Sequence, residues 1–154
     1  MFEKFAHSAR VAVEDARFEA ERRGDRRIGT DHLLIALLED DEVAQIVGVD
    51  AREAHETVDL LDRNALAAIG VDLGEFRSTS RTSLSRRSPL MTSGAKTVIQ
   101  QSLANAAAAH ARTITSQHIL LALLDRHEPD PAAALLAALP VDQSALRERL
   151  SAAT

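Results

Sequence analysis

Two short segments hold side chains at spacings that could do chemistry: Thr30-Asp31-His32 and, eighty-six positions later, Ser116-Gln117-His118. In each, a hydroxyl residue stands just before an apolar run, so Thr30 and Ser116 are expected to cap helices. The start of a helix leaves backbone N–H groups unpaired and carries the positive end of the dipole, which suits an anion. Thr30, Asp31, Ser116 and Gln117 are therefore the leading ligand-contact candidates, although plain capping explains the two hydroxyls without any ligand. His32 and His118 stand at matching positions and invite a metal or catalytic reading. Zinc needs three or four ligands at workable spacing, and His7, His55, His110 and His127 form no H-E-x-x-H pair. A histidine in the first turn of a buried helix is expected instead to bond a neighbouring backbone group and pack. There is no cysteine and no G-x-S-x-G elbow. Asp40-Asp41-Glu42 lacks the twelve-residue calcium pattern and reads as a solvated helix end. No catalytic residue, metal or cofactor is expected.

The elements that position these segments are duplicated. Ile28–Glu39 (IGTDHLLIALLE) returns as Ile114–Asp125 (ITSQHILLALLD), and the register runs back without a gap, setting Ala9 on Ala95, Val13 on Ile99 and Ala20 on Ala106. Nine of the thirty-four positions from Phe5 to Leu38 are identical to their counterparts in Met91–Leu124. Two copies are too few for a solenoid, so a compact pair related by a pseudo-twofold is expected, and a site at the start of one copy should have a partner in the other. Within each copy the helical period dominates. Phe2, Phe5, Ala9, Val13, Ala16 and Ala20 step by three and four along a long first helix closed by Gly24. Leu33–Leu38 is apolar on every side and should be the buried centre of its copy. A short turn at Val43–Val47 closed by Gly48 follows, then a helix capped by Asp50 and running to about Leu61, continued by Asn64–Ile69. The second copy repeats the plan with Ser93 capping a helix to Ala111, Ser116 capping Ile119–Leu124, a small helix Ala132–Leu139, and Asp142 capping the last helix to about Leu150. Nothing alternates with period two. The prediction is all-α, a single domain of about eight helices: repeat one at 1–70, a linker at 71–90 and repeat two at 91–154.

At 154 residues, 45% hydrophobic and 27% charged, the chain has enough material for one core and is not of disordered composition. The absence of cysteine suits a reducing cytoplasm. The charged start MFEKFAHSAR lacks a signal-peptide core, and no apolar run approaches the length of a membrane helix. A net charge of −5 with four Phe and no Trp or Tyr argues against nucleic acid, which calls for a basic footprint and stacking platforms. The linker is the exception, since Arg77, Arg81, Arg86 and Arg87 outweigh Asp72 and Glu75 there. It reads as solvated coil or as an arm for an acidic partner. Two apolar groups also need accounts. Val11 and Phe18 lie opposite the main stripe of the first helix, either covered by the linker or forming a contact for a partner or a second copy. Phe2, Phe5 and Met91 are expected in the core near the pseudo-twofold, beside a groove between the repeats that could take peptides.

A long helix followed by G-T-x-H-L-L, repeated in register as ITSQHILLALL and preceded by MFEKF, resembles the N-terminal domain of Clp unfoldases of the ClpA and ClpC kind. The resemblance spans Phe2 to about Leu150 and implies two four-helix repeats that recognise substrates and adaptors. The chain has no Walker A sequence, so it reads as the recognition domain without its motor. The partners implied are a Clp-type unfoldase, its substrates or adaptors, and peptides; a weak homodimer through Val11 and Phe18 is the self-association to test. In ClpC-type domains a glutamate after the Thr of each repeat helps recognise phosphorylated arginine. Those positions here are Asp31, a carboxylate of shorter reach, and Gln117, which lacks the charge, so phosphoarginine recognition is weakened and confined to the first repeat. The competing function is a nucleic-acid or regulatory binder using the arginine-rich linker, with the repeats as scaffold.

Overall fold

Leu33, Leu34, Ile35, Leu37 and Leu38 fall on every side of one short helix, and all are at most 2% exposed. A helix so apolar must be surrounded. In the computed structural model, which describes residues 4–70 and 90–153, that helix is α2 (Thr30–Leu38), packed by α1 (His7–Arg22), α3 (Asp41–Val47) and α4 (Ala51–Ala68) of its own copy. Its counterpart α6 (Ser116–Leu124) holds the same place among α5 (Ser93–Ala108), α7 (Pro131–Ala138) and α8 (Gln143–Ala153). The fold is all-α, with eight helices and no extended sheet strand among the described residues. Because α2 also packs on α5, α6 and α7, the two copies share one core.

The copies are joined by a crossed pairing. Phe5 makes a single parallel bridge to Ile114, and Met91 makes the equivalent bridge to Ile28. The bonds match across the pseudo-twofold. Ala6 N–H donates to the Ile114 carbonyl at 2.8 Å and Ile114 N–H to the Lys4 carbonyl at 2.8 Å; Thr92 N–H donates to the Ile28 carbonyl at 3.0 Å and Ile28 N–H to the Leu90 carbonyl at 2.9 Å. Phe5 is thus extended backbone, not the first turn of a helix as its spacing suggested. Both Phe5 and Met91 are buried, at 3% and 7% exposure. They belong to the core. Phe2 and residues 71–89 of the basic linker 71–90 lie outside the described residues.

The helix ends follow local chemistry. Gly24, at φ +77°, closes α1: its N–H donates to the Glu21 carbonyl and that of Asp25 to the Ala20 carbonyl, a Schellman cap. In the second copy the same bonds run from His110 to Ala107 and from Ala111 to Ala106, so a histidine at φ +54° does the glycine's work and α5 ends at Ala108, short of Ala111. Asp40, Asp50, Thr92 and Asp130 each accept a backbone N–H at the start of α3, α4, α5 and α7. Thr92, not Ser93, is therefore the cap of α5. The helix after Asp50 does not break near Leu61. It continues to Ala68, because Leu61–Ala68 contains no Gly or Pro and is rich in helix formers. Its buried residues are confined to Ala51, Ala54 and Val58, leaving Leu60 and Ile69 exposed. Among the described residues no helix is long and apolar enough to cross a membrane.

Candidate functional site

The residues before α2 and α6 do not cap as their types suggested. Gly29 is the N-cap of α2 and Thr115 that of α6, which makes Thr30 and Ser116 the first helical residues. The reason is the histidine three positions after each cap. Gly29 N–H donates to His32 Nδ1 at 2.8 Å, and Thr115 N–H donates to His118 Nδ1 at 3.0 Å. Each ring reaches back as the glutamate of a capping box does. Both histidines are therefore structural, buried at 3% exposure, and each fixes the first turn of the helix that carries it.

Thr30, freed from capping, works across the repeats. Its Oγ1 donates to Asp130 Oδ1 at 2.6 Å and accepts Ala132 N–H at 3.2 Å, so it braces the start of α7 in the other copy. Asp130 also accepts from Arg126 Nε at 3.0 Å. The start of α5 closes against this group. A Cβ on Gly94 would stand 3.1 Å from Asp130 Oδ2 and 3.4 Å from Thr30 Cγ2. The starts of α2, α5 and α7 thus converge on a cleft of about 670 Å³, lined among others by Arg26, Arg27, Asp31, Ser93, Arg126 and His127. Asp31 is partly exposed on its wall, and Asp25 Oδ2 takes the outer nitrogen of His32 at 2.7 Å.

The pseudo-twofold sets a second cleft of about 480 Å³ where α6, α1 and α3 begin, lined by Ser8, Asp40, Glu42, Ser116, Gln117 and His118. Ser116 is buried, while Gln117 is partly exposed. The duplication thus gives two clefts, each walled by helix starts from both repeats. Thr30 and Asp31 lie together in one, Ser116 and Gln117 in the other. Val11 and Phe18 belong to neither; they sit on the outer face of α1, 42% and 50% exposed. The residues missed by sequence reasoning are Asp25, Arg126 and Asp130. Asp130 had a local signal, an Asp directly before a Pro at the start of a helix, but its bond to Thr30 spans a hundred positions. Among the described residues no group of three or more His, Cys, Asp or Glu could hold a metal ion.

The family profile described as the Clp repeat (R) N-terminal domain matches residues 4–62 and 90–154, one match to each copy. A comparison with curated protein sequences gives no match. Among solved structures, the N-terminal domain of the caseinolytic protease associated chaperone ClpD from Arabidopsis thaliana is similar at a TM-score of 0.75 and 19% identity, with 99% of each chain covered. A structure from a malarial protein secretion system is similar at a TM-score of 0.68 and 16% identity, over 97% of this chain and 94% of that one. The ClpV N-domain in complex with a VipB peptide is similar at 0.61 and 16%, over 97% and 86%. These structural likenesses establish the fold, and the profile establishes the kinship: the chain belongs to the Clp repeat N-terminal domain family.

Proposed function

We propose that the chain is a non-enzymatic recognition module of a Clp-type unfoldase system, binding peptide segments of substrates or adaptors at the two clefts between its repeats. The observation that carries this reading is the convergence of three helix starts on the repeat-one cleft, with Arg26, Arg27 and Arg126 beside Asp31. Such a wall offers the first backbone N–H groups of α2 and arginine side chains to an acceptor, and a carboxylate to a donor. The ClpV N-domain, of the same fold, has been solved with a peptide bound, which supports a peptide as the ligand class. Within this reading phosphoarginine has a place in the repeat-one cleft alone, since Gln117 removes the matching carboxylate from the second. The nucleic-acid alternative rested on the linker, outside the described residues, and the net charge of −5 opposes it.

A photo-crosslinking amino acid placed at Ser93, an exposed residue of the same cleft, tests the proposal and leaves Asp31 in place. In lysate of the native host it should capture an unfoldase, its adaptors or its clients, and free phosphoarginine should compete. Capture of nothing from that system, with the protein folded, overturns the reading.

A further inference from the structure

The two clefts differ at one ring nitrogen. In repeat one, His32 uses both ring nitrogens: Nδ1 accepts Gly29 N–H, and Nε2 donates to Asp25 Oδ2 at 2.7 Å. The counterpart of Asp25 in repeat two is Ala111, which cannot accept. His118 Nδ1 is occupied in the same way by Thr115 N–H, which places the ring proton on Nε2. That Nε2–H has no partner among the described residues, and since no fully buried side-chain nitrogen among them lacks one, it keeps access to solvent although His118 as a whole is only 3% exposed and lines the second cleft beside Ala111. Burial lowers the pKa of His118, which favours the neutral ring that acceptance at Nδ1 already requires. The N–H is thus a fixed neutral donor next to the start of α6, whose first backbone N–H groups face outward along the dipole. Among the described residues, the charged side chains lining this cleft are Asp40 and Glu42 alone. One wall calls for an acceptor, and the other for a cation. A ligand carboxylate would suit the first wall but meet two like charges on the second. A backbone carbonyl followed by a basic side chain suits both.

We propose that the repeat-two cleft binds an unphosphorylated basic peptide segment, its backbone carbonyl accepting from His118 Nε2–H and its guanidinium or ammonium lying against Asp40 and Glu42. This rests on the chain being a peptide-recognition module, and it gives the two clefts different ligands. Repeat one fills its histidine from within, through Asp25; repeat two leaves the same position open to a partner.

The test uses the full chain and three end-capped fluorescent peptides that alternate glycine with arginine, citrulline or glutamate. Citrulline keeps the size of arginine and removes its charge. The arginine peptide should bind, the citrulline peptide should bind about tenfold more weakly, as expected for loss of a charge-assisted contact, and the glutamate peptide should not bind. Ala111→Asp, which places a carboxylate on His118 as Asp25 does on His32, should abolish binding while circular dichroism stays unchanged. Glu42→Gln, at an exposed position, should weaken it without touching the core. The His118 Nε2 nitrogen resonance should move on adding the arginine peptide. Glutamate peptide binding as well as arginine, or neither substitution changing arginine-peptide affinity, overturns the assignment. So does no binding at all. Crosslinking from Ser93 is independent of these results, so its success alongside a failed arginine peptide would sink the repeat-two site and leave the recognition reading standing.

Discussion

Repeat one and repeat two share a backbone plan but hold it with different chemistry. The first copy is tied by charges. Glu19 on α1 accepts from His55 of α4 at 2.9 Å and from Arg22 at 2.9 Å, Arg23 reaches Asp62 at 2.6 Å, and Asp25 takes His32. In the second copy the positions of Glu19, Arg22, Arg23 and Asp25 are Asn105, Ala108, Ala109 and Ala111. Of these four, only Asn105 bonds across helices, its Nδ2 donating to the His118 carbonyl at 3.1 Å, while Arg147 of α8 ties the end of α6 through Asp125 and the Leu124 carbonyl. What survives in both copies is the apolar α2 or α6, the histidine behind its cap and the crossed bridge. The comparison separates what the fold requires from what each cleft is free to vary.

The shared part carries the largest expected effect. Leu37 and Leu123 are counterparts, 1% and 0% exposed, and truncating either to alanine should cost roughly 2–5 kcal/mol through lost transfer energy and a cavity. Because the bridges and the common core couple the repeats, urea unfolding of each variant should remain one cooperative transition with similar losses. A second transition appearing in either variant would show that the copies unfold separately and break the equivalence.

The divergent part comes next. Burial alone pushes the Glu19 carboxyl up, but the hydrogen bonds and charges of His55 and Arg22 outweigh it and hold the group at about 2, against an ordinary 4.5. Its folded pKa lies below the unfolded one, so its contribution is complete above pH 4.5 and is lost as pH falls toward 2. Glu19→Gln should cost about 1.5–3 kcal/mol at neutral pH, the range for hydrogen bonds to charged groups. It should also flatten the fall in stability over that acid window. Asn105→Ala in repeat two should leave the acid profile unchanged. Thermal melts from pH 7 downward read both, and parallel profiles for wild type and Glu19→Gln would remove the ionic clamp from the account of repeat one.

A smaller effect sharpens the comparison at the ends of α1 and α5. Gly24 and His110 hold the same left-handed cap, at φ +77° and +54°, a conformation that costs a residue with a side chain about 1 kcal/mol. His110→Gly should therefore stabilise by about 0.5–1 kcal/mol, raising Tm by about 1–4 °C for a chain of this size. Gly24→Ala should destabilise by a similar amount. Equal and opposite shifts would confirm one motif with two solutions. A drop on His110→Gly would give the histidine a contact of its own.

Helix periods, turn glycines and the duplicated segment made the architecture legible, because burial of α2 and α6 forces an apolar pattern that no other element would show. The crossed bridges were not legible. A bridge of one residue pair has no alternation, and Phe5 and Met91 merely continue the apolar step of the helices they precede. The capping position was misread by one residue for a related reason. Thr30 is a good cap by type, but His32 supplies the contact to Gly29, and Asp130 claims the hydroxyl. Asp31 and Gln117 were legible as cleft residues through the repeat and the family resemblance. Arg126 and Asp130 were not, because the stretch from Ser116 to Asp130 is four residues longer than that from Thr30 to Asp40, and the repeat register is lost there.

Phe18 gives the smallest expected effect. Its counterpart is Ala104, so nothing in the duplicated plan demands an aromatic ring there. The ring is half exposed, with the buried Arg17 guanidinium 4.4 Å from its centroid. Arg17 is held independently by Glu14 and Glu21, so removing the ring leaves the cation paired. Phe18→Ser should then cost about 0.5–1 kcal/mol, the range for an exposed cation–π contact, and leave the fold intact by circular dichroism. If Val11 and Phe18 form a weak contact between copies, sedimentation equilibrium should show the wild type associating at high concentration and the variant remaining monomeric. Identical behaviour of the two would make the outer face of α1 a solvated surface. A loss of several kcal/mol would make Phe18 part of the core and give repeat one an aromatic anchor that repeat two does without.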